Sequence, residues 1–181
     1  MASVMIFRLS QKLNTKIKAG TLKAMPLDDN PYADWSCHLF TADRSQYIIL
    51  SNTKSLYSCV MFGKGITDDS RFIERALSTI REFMEDDGQA FVYQKFIAPS
   101  RSTVSFTKAL NRTVTGSMNE LVMAAIHSLE SGEVAPHDVG FYLNDLLLSA
   151  IATKEDRGYG KPRVAFKALA DRCQSSDNGE G

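Results

Sequence analysis

The chain has 181 residues, of which 44% are hydrophobic and 23% charged, a composition typical of a globular domain and not of a disordered, collagenous or coiled-coil protein. Its 21 basic and 21 acidic residues leave a formal net charge of zero, which excludes a protein that covers DNA through an overall basic charge. Contact with nucleic acid would therefore need a local basic patch. The length predicts one domain, residues 1–153, followed by a weakly structured C-terminal extension, residues 154–181.

The cysteine content and the apolar runs indicate where the protein resides. Three cysteines, Cys37, Cys59 and Cys173, are odd in number and widely spaced, unlike the disulfide framework of a small secreted domain. No apolar run approaches the roughly 20 residues that cross a bilayer, and the first residues lack the basic region of a signal peptide. We therefore expect a cytoplasmic protein without a membrane partner.

The first half of the chain predicts four strands and two helices, in the order strand, helix, three strands and helix. Ser3 to Leu9 has the pattern of a strand, and a short basic helix follows from Gln11 to Lys18. Three runs of aromatic and β-branched residues, separated by short polar turns, then predict consecutive antiparallel strands; these runs are 35–42, 46–51 and 56–62. An amphipathic helix is predicted from Arg71 to about Asp87, after a capping cluster of aspartate and serine.

The second half is predicted to be mostly helical. Ser102 to Thr107 alternates polar and apolar residues and predicts a fifth strand. Ser117 and Glu120 match a capping box, so a helix is expected to begin at Ser117 and end at Gly132. Pro136 opens another helix that extends to about Ile151. The predicted fold class is α+β, an antiparallel sheet of about five strands with packed helices and a C-terminal helical hairpin.

Motifs for metal binding and catalysis are missing from the sequence. The three histidines and three cysteines form neither a Cys-x-x-Cys nor a His-Glu-x-x-His pattern, and no serine lies in a nucleophile elbow. Gly63-Lys64-Gly65 resembles a fragment of a phosphate loop but completes no such motif, so it is interpreted as a turn between a strand and a helix. The sequence indicates no metal and no cofactor, and it identifies no catalytic residue.

Two places could hold an anion. In the run from Arg112 to Asn119, the free amides of a helix N-terminus at Ser117, with Arg112 nearby and Gly116 permitting close approach, could bind a phosphate or carboxylate. The simpler interpretation, which the sequence favours, is that Ser117 only caps the helix while Arg112 pairs with an acidic residue. Arg44, in the turn after the first antiparallel strand, could present a second guanidinium group, although turns favour polar residues in any case.

The same segments carry a family resemblance. Met5 to Leu13, Asp34-Trp35, Leu39-Phe40-Thr41-Ala42-Asp43-Arg44 and Arg112 to Asn119 resemble a family of uncharacterised bacterial proteins that is known only as a domain of unknown function. The Gly-Ser-Met-Asn block, Gly116 to Asn119, is the most specific part. Where the family pattern has asparagine, this chain has His38. The resemblance implies that seven residues form one unit, structural or functional: Trp35, Asp43, Arg44, Arg112, Gly116, Ser117 and Asn119.

These observations leave two hypotheses of different classes. The first is a cytoplasmic binding or regulatory module that engages an anionic or protein partner through the surface bearing Arg44, Arg112 and Ser117. The second is a small enzyme acting on a phosphate-containing substrate such as nucleic acid, with the arginines stabilising charge and Asp43 or His38 carrying a proton. Both require the two places to lie on one surface, and the enzyme requires them in one cleft.

Overall fold

A computed structural model describes residues 3–152 and 158–177 and shows an α+β fold with a five-stranded sheet. The strands are β1 (Met5–Leu9), β2 (Asp34–Ala42), β3 (Ser45–Asn52), β4 (Ser58–Phe62) and β5 (Val104–Thr107). The helices are α1 (Gln11–Ile17), α2 (Asp69–Asp86), α3 (Ala90–Val92), α4 (Arg112–Glu130), α5 (Pro136–Leu143) and α6 (Pro162–Asp177). Short 3-10 or π turns cover Pro31–Ala33, Tyr93–Ile97, Ala98–Ser100 and Ser149–Ile151.

The sheet is mixed, and the prediction of an antiparallel sheet is wrong for two of its strands. Its order is β4-β3-β2-β1-β5, with β2, β3 and β4 antiparallel as expected. By contrast, β1 pairs in parallel with both β2 and β5. Parallel neighbours need long crossover connections. The connection from β1 to β2 contains α1 and the loop after it, and the connection from β4 to β5 contains α2 and the turns after it.

One face of the sheet, face A, is covered by α1, α2, α6 and the π turn. Alternate strand residues such as Phe7, Trp35 and Leu50 join one apolar cluster with Phe72 of α2 and Phe166 of α6, all fully buried. Aromatic contacts are dense there, because Phe166 stacks on Tyr57 with ring centroids 4.1 Å apart. This face of the sheet is thus buried mainly by apolar and aromatic side chains.

The opposite face, face B, is covered by α4 and α5 and is apolar over only part of its area. Phe40, Ile49 and Val60 meet Met118 and Leu121 in a second cluster. Across the sheet beside them runs a polar row, one residue from each strand in direct register and each at most 3% exposed: Thr107, Arg8, Ser36, Ser51 and Ser58.

Helix α4 begins earlier than predicted, so the capping box at Ser117 is wrong. The first helical residue is Arg112, and the side chain of Asn111 accepts a hydrogen bond from the amide of Val114 at 2.9 Å. Asparagine caps helices as well as serine does, and an exposed glycine is tolerated in a helix at a cost of about 1 kcal/mol. Ser117 therefore lies in the second turn, 7% exposed.

The predicted helical hairpin is not confirmed. Helix α5 ends at Leu143 instead of continuing to Ile151, because Asn144 turns its side chain to β4. Its amide group donates to the carbonyl oxygen of Ser58 and accepts from the amide of the same residue, at 3.0 and 2.7 Å. Gly140 allows this close packing, since a Cβ there would lie 3.1 Å from the Ser58 carbonyl oxygen of β4 and 2.5 Å from the Phe83 ring of α2. Helix α5 therefore packs against β4.

The predicted weakly structured extension contains α6, whose Phe166 and Leu169 are buried in the face A cluster. These two large apolar side chains face the core, whereas Val164 on the same helix is 60% exposed. Arg163 fixes its first turn by pairing with Asp87, after the end of α2, and with Asp145 at 3.2 Å. Residues 154–157 and 178–181 of the predicted extension lie outside the described residues.

Candidate functional site

The residues predicted to bind an anion lie at two separate places. Arg112, Gly116 and Asn119 are exposed on the first turns of α4, whereas Ser117 faces inward. The amides from Gly116 onward belong to the helix interior, where each donates to the carbonyl four residues before it. They are not free for a ligand, so the open amides of α4 are those of its first turn.

Arg44 lies far from this helix end. Asp43 and Arg44 form the β2–β3 turn with φ angles of 45° and 62°, the left-handed pair that a two-residue hairpin needs. At the other end of β2, the amide of Thr53 donates to the carbonyl of Asp34 at 2.9 Å, and Thr53 shares a cleft with Asn111 and Thr113. Because β2 has nine residues and spans about 26 Å, Arg44 and the start of α4 do not share a cleft.

Three adjoining clefts lie between the start of α4 and the outer side of α6, and we call them together the α4–α6 trough. Their volumes are about 190, 190 and 240 Å³. The first, at Asn111 and Thr113, shares Lys54 and Ile151 with the second, and the second shares Ile151, Ala165 and Ala168 with the third. The trough therefore extends from the α4 N-terminus to the segment around Tyr159.

The third cleft of the trough is mainly apolar, the first also has polar side chains such as Thr53, Asn111 and Thr113, and lysines lie at the edges of the trough. Leu147, Tyr159 and Val164 line the third cleft and remain 62%, 57% and 60% exposed. Lys54 and Lys161 are exposed on its rim, and the described residues that line it include no aspartate or glutamate. The first turn of α4 also contains no acidic residue, so the positive end of the helix dipole is uncompensated there.

The loop that presents Lys54 is held rigidly. The Asn52 side chain accepts from the amide and hydroxyl of Ser55 and donates to the carbonyls of Pro31 and Asp34. Leu56, 1% exposed, has φ of 62°, a strained conformation for leucine that the surrounding structure must impose. Lys54 thus projects from a fixed loop.

Beneath this loop lies a buried ion pair. The Arg8 guanidinium donates two hydrogen bonds of 2.8 Å to the Asp34 carboxylate, and its other donors reach the carbonyls of Met25, Pro26 and Lys108. Asp34 also accepts from the Thr53 hydroxyl at 2.7 Å. The pair therefore joins β1, β2, the loop before Leu27 and the approach to α4, which together form one end of the trough.

The α6 wall of the trough is anchored on the side that faces the core. Tyr57 donates to the Asp87 carboxylate at 2.6 Å, and Arg163 of α6 pairs with the same carboxylate. Burial, together with this hydrogen bond, raises the pKa of Tyr57 far above its usual value. Tyr57 therefore stays a neutral donor, and the wall formed by Val164, Ala165 and Ala168 has a fixed position.

The described residues that line the trough include no histidine, cysteine, aspartate or glutamate. Burial raises the pKa of the thiols of Cys37 and Cys59, which keeps them protonated and unreactive. Burial lowers the pKa of His38, whose side chain lies on β2 away from the helix end. Within residues 3–152 and 158–177, no group of three histidine, cysteine or acidic residues is arranged to hold a metal ion. The described helices include none that is both long and apolar enough to span a membrane.

Sequence reasoning located one end of the trough and missed the rest. Sequence reasoning names Arg112 beside a helix start but places that start at Ser117 instead of Arg112. Lys54 is assigned to a turn, and Tyr159 and Val164 to a weakly structured tail. The available signal was the apolar content of 158–169, which is unusual for a solvent-exposed extension. Lys54 had no signal of its own, because only the fold brings it beside Asn111.

Comparison with known proteins identifies the family of the chain, and the description of that family names no function. Residues 6–165 match the family described as a domain of unknown function, DUF6933. The chain belongs to this family, and the match includes the first residues of α6. No curated protein matches the chain.

Proposed function

We propose that the protein is a binding module whose partner is a protein segment with apolar and acidic side chains, docked in the α4–α6 trough. The observation that carries the proposal is the exposure of Leu147, Tyr159 and Val164 side by side in a groove whose described lining residues include no aspartate or glutamate. Exposed large apolar groups that line one concave surface are characteristic of interaction sites, whereas scattered ones are not.

The charges around the trough favour an acidic partner. Lys54 lies near one end, where the first turn of α4 and the exposed Arg112 add positive potential, and Lys161 lies at the other. A segment with carboxylates that flank its apolar residues would meet opposite charge at both ends, and complementary charge accelerates association and selects partners. A basic segment would meet like charge at both ends and be rejected.

The walls of the trough support tight binding at low entropic cost. The loop of Lys54 is fixed by Asn52, and α6 is fixed by Arg163 and Phe166. A preorganised groove loses little conformational freedom when a partner binds. Arg44 and the start of α4 lie at opposite ends of β2. This separation removes the single cleft that the enzyme hypothesis needs and also the shared surface of Arg44, Arg112 and Ser117, so the trough takes the place of that surface in the proposal.

A cytoplasmic location remains part of the proposal. The buried cysteines Cys37 and Cys59 are free thiols, which suits a reducing compartment.

The test is selection of peptides by the full-length protein from a displayed library of random twelve-residue sequences. We expect enrichment of peptides that combine leucine or aromatic residues with aspartate or glutamate and contain no lysine or arginine. Fluorescence anisotropy of the best labelled peptide should show at least tenfold weaker binding to Val164→Glu than to wild type. The new carboxylate lies on the α6 wall of the trough and repels the acidic peptide. Lys54→Glu should also weaken binding.

The matched control is Met123→Glu, which places the same charge on a methionine that is 68% exposed on α4 and does not line the trough. Its affinity should equal that of the wild type. A library without enrichment, or enriched peptides that bind Val164→Glu as well as wild type, would contradict the proposal. Analytical ultracentrifugation gives the oligomeric state. If the wild type were a dimer and Val164→Glu a monomer, the segment in the trough would belong to a second copy of this chain.

A further inference from the structure

A separate cleft of about 320 Å³ lies at the turn between β4 and α2. Lys64, Arg71 and Arg75 line it together with one acidic residue, Glu74, and all four side chains are exposed at the surface. This is the turn that contains Gly63-Lys64-Gly65, whose sequence resembles a phosphate loop without completing one. The cleft has no residue in common with the α4–α6 trough.

The backbone of this turn is fixed on both sides of Lys64. The amide of Gly63 donates to the carbonyl of Gln46 at 2.8 Å, and a Cβ at Gly63 would lie 3.2 to 3.3 Å from atoms of Gln46. Gly65 has φ of +82°, which glycine adopts without strain. The guanidinium of Arg71 donates to the Gly65 carbonyl at 3.2 Å, so the turn and the first residues of α2 are held together.

The cations of the cleft exceed its anions by two. Among the described residues, Arg71 makes a long, exposed contact of 3.7 Å with Asp68, while Lys64 and Arg75 make no ion pair. Asp68 is engaged as the cap of α2, where it accepts from the Arg71 amide. Arg71 and Arg75 are four residues apart, so their side chains lie on one face of the helix. Three positive groups thus converge on a small concave space.

We infer that this cleft binds a phosphate monoester dianion, held by Lys64, Arg71 and Arg75. Two negative charges match the net charge of the lining, and guanidinium groups recognise phosphate oxygens by charge-assisted hydrogen bonds. The cleft lies at the low end of the volumes typical of ligand pockets, which suits a phosphate group with a small organic substituent. This site is independent of the proposed partner in the trough.

The inference is tested by titrating the full-length protein with inorganic phosphate. Backbone amide chemical shifts are recorded by NMR, and sodium chloride holds the ionic strength constant. The amides of Gly63, Lys64 and Gly65 should shift saturably, and Arg75→Gln should weaken binding about tenfold, as expected for the loss of one charge-assisted hydrogen bond. Glu74→Gln should tighten binding about threefold, because it removes the acidic residue of the cleft. Arg101→Gln, a change at an exposed arginine outside the cleft, should leave the affinity unchanged.

A second arm distinguishes a terminal phosphate from a nucleic-acid backbone. A six-residue RNA with a 5′-phosphate should bind more tightly than the same RNA without it, and Arg75→Gln should abolish the difference. Equal binding of the two RNAs would show recognition of phosphodiesters and overturn the inference. Shifts that sodium chloride alone reproduces, or that Arg75→Gln and Glu74→Gln leave unchanged, would overturn it as well.

Discussion

The two faces of the sheet are buried to a similar extent but are stabilised in different ways. Face A joins β1–β5 to α1, α2 and α6 through apolar and aromatic contacts. Face B combines an apolar cluster with the polar row of Thr107, Arg8, Ser36, Ser51 and Ser58, which hydrogen bonds connect to the surrounding loops. The loops that shape one end of the trough are therefore positioned by face B, whereas face A contributes most of the nonspecific stability.

The largest effect is expected from breaking the buried ion pair of face B. Asp34→Ala leaves the Arg8 guanidinium buried without its anion and removes an acceptor from Thr53, so the free energy of unfolding should fall by about 3–5 kcal/mol. Urea denaturation measures this change. Asp34→Asn, which keeps the size and one acceptor oxygen, should cost less. A loss below about 1 kcal/mol for Asp34→Ala would show that the pair contributes little.

On face A, Phe166→Ala should cost about 3 kcal/mol, because it leaves a cavity between Tyr57, Tyr32 and Trp35. Hydrogen exchange should show faster exchange in α6 than in β1–β4, since this helix is joined to the sheet through few side chains. Val164→Glu on the outer side of the same helix serves as the control and should change the stability by less than about 0.5 kcal/mol. Equal losses in the two variants would contradict the assignment of the inner and outer sides of α6.

A smaller loss of stability is expected from substitutions at Ser58 and Cys59, adjacent residues of β4 whose side chains point to opposite faces. Ser58→Ala removes a hydroxyl that contacts Ser51 at 2.6 Å and the Leu56 carbonyl at 2.7 Å, so it should cost about 1 kcal/mol. Cys59→Ser places a hydroxyl in the apolar cluster of face A and should cost about 1–3 kcal/mol. Thermal unfolding of both variants measures the difference. If Cys59→Ser were neutral, face A would tolerate polar groups as face B does.

The smallest effect depends on pH and on His38 of face B. Burial lowers the pKa of this histidine below its ordinary value of 6.5, so below pH 6.5 the unfolded chain binds a proton that the folded protein resists. Stability should therefore be complete above about pH 6.5 and decline as the pH falls from there. His38→Asn should make the decline shallower, as measured by urea denaturation between pH 5 and 8. An unchanged slope would assign the decline to other groups.

Local patterns predicted the elements of the fold better than their arrangement. The periodicity of Phe72, Ala76 and Ile80 and the short turns between β2, β3 and β4 indicated a helix and antiparallel strands, and the structure confirms both. The parallel pairing of β1 was not predictable from its five residues, because strand direction depends on the long connections on either side. The start of α4 was misplaced because Asn111 and Ser117 are both good caps, and only packing decides between them.

The candidate site was less accessible to sequence reasoning than the fold. Arg112 was identified from its position near a helix start, but its pairing with Arg44 assumed a proximity that the sheet does not provide. The partners of Arg8 are carbonyls of the chain at Met25, Pro26 and Lys108, which carry no signature in the sequence. Long-range hydrogen bonds to the backbone are set by the fold, so such a network becomes visible only in three dimensions.

The contact of Asn144 with β4 also limits how the protein can associate. β4 and β5 are the outer strands, and outer strands offer open amides and carbonyls on which a further strand can grow. At Ser58 the Asn144 side chain occupies both groups, and at the other border Lys23 forms a bridge to Thr107 and accepts from the Lys108 amide. Both borders are thus closed at these points, which opposes aggregation by sheet extension and directs binding partners to the helices and clefts.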